Sequence, residues 1–560
     1  MKYSFIIFTL FYIISCGPVP HPPMTNQTSS TQDLYDGLEF DMPMVTEPVI
    51  PDLEKSIAEF GAVPDGITKN TEAFEATIQN VSAAGGGKVI VPRGMWLTGP
   101  ITLKSNINLH LEAGALIIFT DDKDDYPIVE TSFEGLNTFR CQSPINGRDL
   151  ENIAITGSGT IDGNGGAWRM VKKEKMTEPQ WKKLLKSGGV TSDDGKVWYP
   201  SEQFKRGAEF TANFNVPDPS QVNFEEIRDF LRPVMVSLIN CKNVLLDGPT
   251  FQNSPAWNLH PLMCENVIIR NLSVRNPWYS QNGDGLDLES CKNVLIYDNT
   301  FDVGDDGICI KSGKDKDGRD RAVPTENVII KNNIVYHGHG GFTVGSEMSS
   351  GVKNIHVSNC TFMGTDVGLR FKSTRGRGGV VENIYISNID MIDIPTDPIR
   401  FNLFYGGQSP ILEEDQEAAV ADPEKEPVTE ETPSFRDIYM KNIRAVRSGS
   451  AGYFQGLPEM KLKNIQIEDS YLEGKTGVSM IDANDITFKN VKIQSAEGYP
   501  LTLYNTTNFV SPGLELIASD ATKGLLILGA ESQNIDLTDS NIDPSAVKID
   551  KKVNSESVKL

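Results

Sequence analysis

A short apolar segment that begins with asparagine recurs through the middle of this chain, and its spacing restricts the folds open to the chain. Each copy reads Asn followed by three mostly apolar residues, as in Asn243-Val-Leu-Leu and Asn327-Val-Ile-Ile. Successive copies begin 23 to 34 residues apart, at Asn243, Asn266, Asn293, Asn327, Asn354 and Asn383. That interval is too short for a domain and too long for a β-hairpin, and it matches one coil of a parallel β-helix.

Local chemistry supports the same fold. A strand turns successive side chains to opposite faces, so a two-residue period places Val and Ile inside the coil. Asparagine tolerates the left-handed conformation at a turn, and stacked asparagines can share amide hydrogen bonds between coils. A leucine-rich horseshoe lacks its leucine signature here, and a propeller requires longer and more regular repeats. We therefore predict an all-β, single-stranded parallel β-helix.

The repeat predicts one β-helical body over residues 52–549. At its start, Phe74, Ile78 and Val81 fall on one face of a predicted helix that ends at a run of three glycines. An open end of stacked coils exposes strand edges, which invite aggregation, so we expect this N-terminal helix to cap the first coil.

Two stretches interrupt the repeat and are predicted to be loop insertions. The first, about residues 165–230, is rich in charged and aromatic residues and is a candidate wall of a binding cleft. The second, about residues 405–434, is strongly acidic, and a solvated flap is the simpler interpretation. After the last coil, residues 550–560 are expected to form a short polar tail.

The N-terminus has the pattern of an export signal. Its apolar run from Phe5 to Ile14 is long enough for a signal-peptide core and too short to span a bilayer. The Ser-Cys-Gly that follows resembles a lipoprotein cleavage site, so residues 1–16 are predicted to be a lipoprotein signal peptide with Cys16 acylated. A plain secretory signal is the alternative. Residues 17–51 are expected to be a flexible tether, holding the protein at the bacterial outer membrane or in the periplasm by its lipid alone.

Composition excludes some partners. The net charge of −23 argues against nucleic acid, because binding a polyphosphate requires a broad basic surface. An acidic protein still binds an acidic ligand where its cleft is locally basic. Cys241, Cys264 and Cys291 occupy one repeat position, so we expect stacked thiols rather than disulfides. No cysteine pair has the spacing of a zinc site, and we predict no metal or cofactor.

Residues with useful chemistry concentrate in one part of the repeat. Four motifs follow one another near coil spacing: Asn282-Gly-Asp284, Gly304-Asp305-Asp306, Gly338-His339-Gly340 and Arg370-Phe-Lys372. Positions one coil apart lie about 4.8 Å from each other in the stacking direction. The spacing therefore predicts a surface strip of three carboxylates, one imidazole and two cations.

Such a strip suits the hydrolysis of a sugar bond. Carboxylates held together repel, so at least one pKa rises toward a value useful for a general acid. An acid and a base flank the bond, and inversion of configuration requires about 6.5–9.5 Å between them. The cations favour a substrate with a carboxylate, such as a uronic acid. An ideal strand turns Asp305 and Asp306 to opposite faces, so the backbone must bend there, which Gly304 and Gly307 could allow.

The four motifs resemble those of the polygalacturonases, glycoside hydrolase family 28, whose sites carry Asn-Thr-Asp, Gly-Asp-Asp, Gly-His-Gly and Arg-Ile-Lys. The likeness extends across most of residues 55–500. It implies a right-handed β-helix and single-step, inverting hydrolysis of galacturonan in pectin. Gly283 and Phe371 depart from the family pattern at positions that proton transfer does not need.

The resemblance also implies roles for individual residues. Asp305 would be the general acid, while Asp284 and Asp306 would hold and deprotonate the attacking water. His339 would tune the acid, and the Arg-Lys pair would grip a galacturonate carboxylate downstream of the cut. The substrate-binding candidates are Arg370, Lys372, Asn282, His260 and Arg375.

We expect a monomeric hydrolase of α-1,4-galacturonosyl bonds that cuts from the chain end, because the insertions could close one end of a groove. A rhamnogalacturonan hydrolase of the same fold is one alternative. Another is a calcium-dependent pectate lyase, which requires an acidic cluster for the ion. The third is a non-catalytic β-helix that binds glycans at the cell surface.

Overall fold

The computed structural model of the protein describes residues 31–210, 220, 222–405 and 424–560. The chain divides into two compact units, Met1–Gly37 and Leu38–Leu560. The described part of the first unit contains a short 3-10 helix, Thr31–Leu34. The predicted signal peptide with Cys16, and most of the acidic insertion, lie outside the described residues.

The described residues of the second unit contain four α-helices. They are α1 Thr71–Ala83, α2 Glu178–Lys186, α3 Glu202–Phe210 and α4 Asp315–Arg321. The described 3-10 segments of this unit are Ile57–Phe60, Lys123–Asp125, Gly165–Ala167, Lys173–Lys175, Phe224–Phe230, Pro544–Ala546 and Ser555–Ser557. No helix of the described chain combines the length and the apolar character that crossing a membrane requires.

The remaining secondary structure is β-strand. The first fourteen strands are β1 Glu54–Ser56, β2 Gly87–Val91, β3 Gly94–Thr98, β4 Ile101–Thr102, β5 Ile107–Leu111, β6 Ala115–Phe119, β7 Ile128–Phe133, β8 Leu136–Cys141, β9 Ile145–Arg148, β10 Glu151–Gly157, β11 Thr160–Asp162, β12 Val171–Lys172, β13 Val190–Thr191 and β14 Val197–Tyr199. The central strands are β15 Val236–Ile239, β16 Lys242–Asp247, β17 Thr250–Gln252, β18 Leu259–Leu262, β19 Glu265–Arg270, β20 Ser273–Arg275, β21 Leu286–Glu289, β22 Lys292–Tyr297, β23 Thr300–Asp302, β24 Ile308–Lys311, β25 Thr325–Lys331, β26 Ile334–Val344, β27 Val352–Met363, β28 Thr365–Lys372, β29 Val380–Ile392 and β30 Ile399–Asn402. The last strands are β31 Ser434–Gln455, β32 Leu462–Ile481, β33 Ala483–Ser495, β34 Leu501–Tyr504, β35 Thr507–Val510, β36 Glu515–Ala518, β37 Leu525–Leu528, β38 Gln533–Asp536, β39 Val547–Ile549 and β40 Val558–Lys559.

These strands stack in three parallel ladders, one strand from each ladder to a coil. The first ladder runs through β15, β18, β21, β24, β26, β28 and β30. The second runs through β16, β19, β22, β25, β27 and β29. The third runs through β17, β20, β23 and β26, a long strand that turns a corner of the coil. The predicted parallel β-helix is confirmed.

The repeated asparagines hold one corner of the coil. Each adopts the left-handed conformation, with φ between 55° and 59° at Asn243, Asn293 and Asn327. The Asn293 side chain donates to Asn266 Oδ1 at 3.4 Å, and the Asn327 side chain donates to Asn293 Oδ1 at 3.2 Å. The same hydrogen bond repeats from Asn106 to Asn383, so the turn chemistry links coil to coil.

Aromatic rings and thiols fill the inside of the coils. The Phe371 ring lies 4.3 Å from the Phe401 ring, nearly parallel to it, and Phe401 lies 5.2 Å from Phe454. The isoleucine-to-phenylalanine departure at Phe371 therefore extends an internal aromatic stack. Within the described chain the six cysteines are free and buried, and the Cys264 amide donates to Cys291 Sγ at 3.3 Å.

The second ladder is apolar on its outer face as well. Leu245, Ile268, Leu295 and Ile329 stand in register on that face and are all buried. We call these four residues the outer ladder. A strand that is apolar at successive positions is covered on both faces, so another part of the chain must shield this one.

Residues 38–51, here called the strap, lie along this outer face. Glu39 bonds His356 Nδ1 at 2.7 Å and Glu47 bonds Arg270 at 2.7 Å, while Val45 between them is 2% exposed. The flexible tether predicted for residues 17–51 is therefore wrong for this part. The apolar outer face of the coils provides a surface on which the strap is ordered.

The two ends of the β-helix differ from each other. Helix α1 lies against β1 and β2 with Phe74, Ile78 and Val81 buried. At the other end, β40 pairs with β38 through Val558 and Ile535, and Val553 is buried. The polar tail predicted for residues 550–560 is thus wrong, because these valines extend the core by part of a coil.

The insertion between β11 and β15 has a core of its own. Strands β12, β14 and β13 form a small antiparallel sheet flanked by α2 and α3. Trp168, Trp181 and Trp198 are buried within the insertion. The tryptophans therefore pack the insertion and are not themselves a cleft wall. A second element that interrupts the coils, the antiparallel hairpin of β7 and β8, was not predicted.

Candidate active site

Three carboxylates converge where the chain enters the first ladder. Asp284 precedes β21, and Asp305 and Asp306 precede β24 on the next coil, where Leu286 pairs with Ile308. The Gly285 amide donates to Asp306 O at 2.9 Å, which holds the two entry loops in register. One oxygen from each carboxylate lies within 4.8 Å of one oxygen from each of the others.

Both members of the neighbouring pair reach the same pocket, so the backbone bends as the sequence requires. The Asp306 amide donates to Asp305 Oδ1 at 3.0 Å. A Cβ atom on Gly304 would stand 2.5 Å from the Pro277 carbonyl, and one on Gly340 would stand 2.8 Å from Asp306 Oδ1. These glycines are needed for close approach between coils.

Asp306 forms an ion pair with each of the two predicted cations. Arg370 donates to Asp306 Oδ1 at 2.9 Å, and Lys372 donates to Asp306 Oδ2 at 2.8 Å. Burial opposes ionisation of Asp306, but the charges of Lys372 and Arg370 outweigh it and hold its pKa well below the usual range. Asp306 is therefore a fixed anion. Each cation retains further N–H donors for a ligand.

Asp305 is paired with His339. Asp305 Oδ1 lies 3.1 Å from His339 Nδ1, and the His339 amide donates to the Asp305 carbonyl at 2.9 Å. Burial raises the pKa of Asp305, but the hydrogen bond and charge of His339 outweigh burial. The pKa of Asp305 is therefore below its ordinary value. The same hydrogen bond raises the pKa of His339 above its ordinary value, so the pair favours carboxylate and imidazolium.

Asp284 has the opposite electrostatic setting. It is 3% exposed, and burial, followed by the charges of Asp287 and Asp305, raises its pKa well above the ordinary value. Asp287 lies behind it, fully buried and 3.6 Å from Lys311 Nζ, and burial raises its pKa too. Asp284 and Asp287 are therefore the two carboxyl groups of this cluster whose surroundings favour the protonated form.

Several residues of the site were missed in the sequence. The pocket has a volume of about 360 Å³ and is lined by Glu134, Trp257, Gln281, Asn282, Asp284, Asp305, Asp306, Lys311, His339, Ser346, Glu347, Arg370, Lys372 and Tyr405. Lys311 donates to Glu347 at 2.7 Å, and its Nζ lies 4.9 Å from the centre of the Trp257 ring. The sequence could have indicated Lys311, because it is a lysine at the end of the apolar strand β24. Glu134 comes from the hairpin, which no repeat or motif indicates.

The remaining predicted binding residues have different surroundings. Asn282 lines the pocket and accepts a hydrogen bond from Arg232 at 3.0 Å. His260 is buried against Glu289, with Nε2 and the carboxylate 2.8 Å apart, and it does not line the pocket. Its assignment as a substrate-binding residue is wrong, because its ring belongs to a buried ion pair.

Arg375 is also outside the pocket. It forms hydrogen bonds to Glu459 at 2.7 and 2.8 Å and an ion pair with Glu426 at 3.0 Å. These contacts fix the chain after β28 and engage the guanidinium, so Arg375 was wrongly predicted to bind substrate.

The departure at Gly283 has a local cause. A Cβ atom there would stand 1.9 Å from Ser280 Oγ, and Ser280 donates to the Pro277 carbonyl at 2.6 Å. The serine side chain thus occupies the space that a threonine at position 283 would take.

The carboxylates stand closer than the 6.5–9.5 Å expected for inversion, since their nearest oxygens lie within 4.8 Å. The entry loops bend both Asp305 and Asp306 toward Asp284. One water with hydrogen bonds of about 2.8 Å to two oxygens spans this distance at a near-tetrahedral angle. The three carboxylates therefore form a site of the size of one water molecule.

The same oxygens would be the donor set for a cation. Arg370 and Lys372 already neutralise Asp306, however, and would face any ion placed there. This charge balance favours water over a metal ion as the occupant.

Comparison with known proteins adds to this geometry. The sequence model of the glycosyl hydrolases family 28 matches residues 227–449. A probable polygalacturonase of Vitis vinifera is 29% identical over 346 residues, which are 60% of this chain and 60% of that protein. An exo-poly-alpha-D-galacturonosidase of Dickeya chrysanthemi is 26% identical over 456 residues, which are 78% of this chain and 70% of that protein. The chain thus spans 60% and 70% of the lengths of these two relatives.

A solved structure extends the similarity over more of the fold. The hyperthermoactive exopolygalacturonase of Thermotoga maritima is 36% identical to this chain and superposes with a TM-score of 0.64. The match covers 79% of this chain and 90% of that structure. With the β-helix and the convergence of the four motifs, this identity shows that the chain belongs to family 28 of the glycosyl hydrolases.

Proposed function

We propose that this protein hydrolyses the α-1,4-galacturonosyl bonds of galacturonan. One observation carries the proposal: three carboxylates and the Arg370–Lys372 cation pair meet in one pocket. The carboxylates supply acid–base chemistry for a glycosidic bond, and the cations suit a sugar that bears a carboxylate.

The attacking water is assigned to the space between Asp284 and Asp306. Asp306 is held as an anion by two cations, so it orients the water and remains unprotonated. Asp284 takes the proton of the water, which requires Asp284 to be ionised when substrate is bound. Direct attack by this water inverts the anomeric carbon, as the family resemblance implies.

Asp305 is assigned as the general acid. His339 is the main group that holds its pKa low, while burial and the charge of Asp306 act in the opposite direction. A substrate that takes over the hydrogen bond of His339 removes the largest effect that lowers the pKa of Asp305, so this pKa rises. The nearest oxygens of Asp284 and Asp305 lie within 4.8 Å of each other, so a proton on Asp284 can pass to Asp305 through one water.

End-cutting is the mode of action that we propose. The names of the Dickeya chrysanthemi and Thermotoga maritima proteins describe exo-acting enzymes. In this chain the tip of the β7–β8 hairpin lies beside the pocket, where Glu134 is one of its lining residues. An obstacle at that place limits how far a polymer can extend past the carboxylates.

The alternatives receive less support from the site. A calcium-dependent lyase requires free acidic ligands, whereas both oxygens of Asp306 are engaged by Arg370 and Lys372. A rhamnogalacturonan hydrolase remains the alternative within the fold. Because Arg370 and Lys372 suit a carboxylate on the sugar downstream of the cut, they favour galacturonan as the substrate. A non-catalytic glycan-binding protein does not need three carboxylates converging in one pocket.

Digestion of polygalacturonic acid with product sizing over time tests the proposal. The expected first product is saturated monogalacturonate, and Asp305→Asn is expected to abolish its release while the fold is retained. An ultraviolet-absorbing unsaturated product that disappears with a chelator would establish the lyase instead. Absence of any product from wild type would refute galacturonan as the substrate.

We also propose that the protein is exported and anchored through lipid on Cys16. The support is the apolar run and the Ser-Cys-Gly sequence near the N-terminus. We also propose that the protein acts as a monomer. Labelling with a fatty acid in cells, lost in Cys16→Ala, is the expected result; labelling retained in that variant would refute the anchor.

A further inference from the structure

The hairpin of β7 and β8 brings one acid to the pocket from outside the repeat. Strand pairing of Phe133 with Leu136 leaves Glu134 and Gly135 as a two-residue tip. Both have positive φ, 49° at Glu134 and 75° at Gly135. This turn favours Asn or Gly at its first position, so a glutamate there is strained without a local reason, a pattern that occurs at functional sites.

The tip is fixed against the coils. The Lys314 amide donates to the Gly135 carbonyl at 3.1 Å, and a Cβ atom on Gly135 would stand 2.7 Å from that amide. The Phe133 ring stacks on Trp257 with centres 5.1 Å apart, and the Arg140 guanidinium lies 4.0 Å from the centre of the same Phe133 ring. These contacts therefore hold the tip of the hairpin in place against the coils.

A buried polar chain connects the hairpin to the catalytic loop. Arg140 donates to the Arg232 carbonyl at 2.9 Å, and Arg232 donates to Asn282 Oδ1 at 3.0 Å. The Asn282 side chain in turn donates to Glu134 Oε1 at 3.4 Å. Asn282 is two residues before Asp284, so the position of Glu134 is tied to that of the carboxylates.

Glu134 stands at one end of the pocket. Its neighbours Trp257 and Asn282 belong to earlier coils, whereas Arg370 and Lys372 lie on β28, after β24 and β26 in the stack. With the cations binding the sugar downstream of the cut, Glu134 faces the sugar upstream of it, at the chain end.

We propose that Glu134 is a specificity-determining residue whose carboxyl group hydrogen-bonds the hydroxyl groups of the terminal sugar and, with the hairpin tip, ends the cleft there. The inference rests on the proposed galacturonan hydrolysis. Burial, followed by the charge of Glu347, raises the pKa of Glu134 to about 7, while Lys314, Arg140 and Lys311 act in the opposite direction. The carboxyl group is therefore neutral below that pH and accommodates an anionic sugar.

Kinetics on trigalacturonate with variants of Glu134 and of Glu130 test this role. Glu134→Ala is expected to lower kcat/KM about ten- to a hundredfold, the range for leaving a buried hydrogen-bonding group of the sugar without its partner. Glu130→Gln is the matched control, because Glu130 is an exposed residue of the same hairpin outside the pocket. An equal loss in both variants, or no loss in Glu134→Ala, would overturn the assignment.

Glu134→Gly separates a functional role from a structural one. Glycine suits the left-handed conformation, so the variant is expected to melt at or above the wild-type temperature and still to lose kcat/KM. A lower melting temperature with unchanged kinetics would show that Glu134 is structural only and would overturn the proposal.

The pH dependence of KM provides a second readout. In wild type, KM is expected to rise as the pH passes about 7, because ionised Glu134 repels the sugar carboxylate; in Glu134→Gln this rise is expected to be absent. An identical rise in both proteins would overturn the proposal. If the wild type does not cleave galacturonan, the proposed function itself is refuted. If the wild type cleaves it and the Glu134 variants have the same kinetics, only the inference about Glu134 is refuted.

Discussion

At the scale of single residues, the three carboxylates of the site differ in the positively charged groups that lie beside them. Asp306 is neutralised by Arg370 and Lys372, Asp305 is matched by His339, and Asp284 receives no comparable partner. Coil spacing predicted that these groups are neighbours. Which cation pairs with which acid could not be predicted, because it depends on the bend of the entry loops and not on sequence distance.

The assignment of acid and base can be tested with the leaving group of the substrate. A substrate whose leaving group needs no protonation should restore much of the activity of Asp305→Asn, because only the general acid is missing. The same substrate should not rescue Asp284→Asn. On galacturonan, each variant should lose about 10²- to 10⁴-fold in kcat. Rescue of Asp284→Asn alone would reverse the two roles.

The His339 imidazole should titrate above its ordinary pKa of 6.5, because Asp305 stabilises the protonated ring. The ring therefore keeps its proton to a higher pH than a free histidine and loses it as the pH rises further. Titration of labelled histidine by NMR measures this pKa, which Asp305→Asn should lower. His337, which pairs with Asp302, is the internal control. No change of His339 in the variant would contradict the pairing.

At the scale of elements, the strand sequences indicate not only the β-helix but also that its second ladder is covered on the outer face. Val, Leu and Ile occupy three successive positions in β16, β19 and β22, which indicates strands covered on both faces. The covering element could not be found in the same way, because the strap has no periodic apolar residues. Its order comes from the outer ladder and from ion pairs such as Glu47 with Arg270.

Val45→Asp tests whether the strap stabilises the β-helix. Val45 is 2% exposed, and an aspartate there would bury a charge or detach the strap from the outer ladder. We expect the free energy of unfolding to fall by about 2–4 kcal/mol, measured by denaturant unfolding. Val49→Asp is the control, since Val49 is 84% exposed, and it should change stability by less than about 0.5 kcal/mol. Equal effects would show that the strap does not contribute.

At the scale of the whole molecule, the repeat predicts the β-helix well and its additions poorly. The spacing of the asparagines predicts the length of a coil, and the residue type predicts the left-handed turn. The same pattern therefore predicts each successive coil. The hairpin that presents Glu134, the strap and the last part-coil each occur once, and a single occurrence has no pattern to detect. The groove-ending element was accordingly expected in the two large insertions. The structure places the smaller hairpin beside the pocket together with Tyr405, while residues 406–423 of the second insertion lie outside the described residues.

The most direct test of the central claim compares binding and turnover of trigalacturonate in wild type and Asp305→Asn. If the three carboxylates and two cations form a hydrolytic site, calorimetry should give a similar Kd for the variant while turnover falls at least about a hundredfold. Turnover that survives in Asp305→Asn, or binding that disappears with it, would contradict the account.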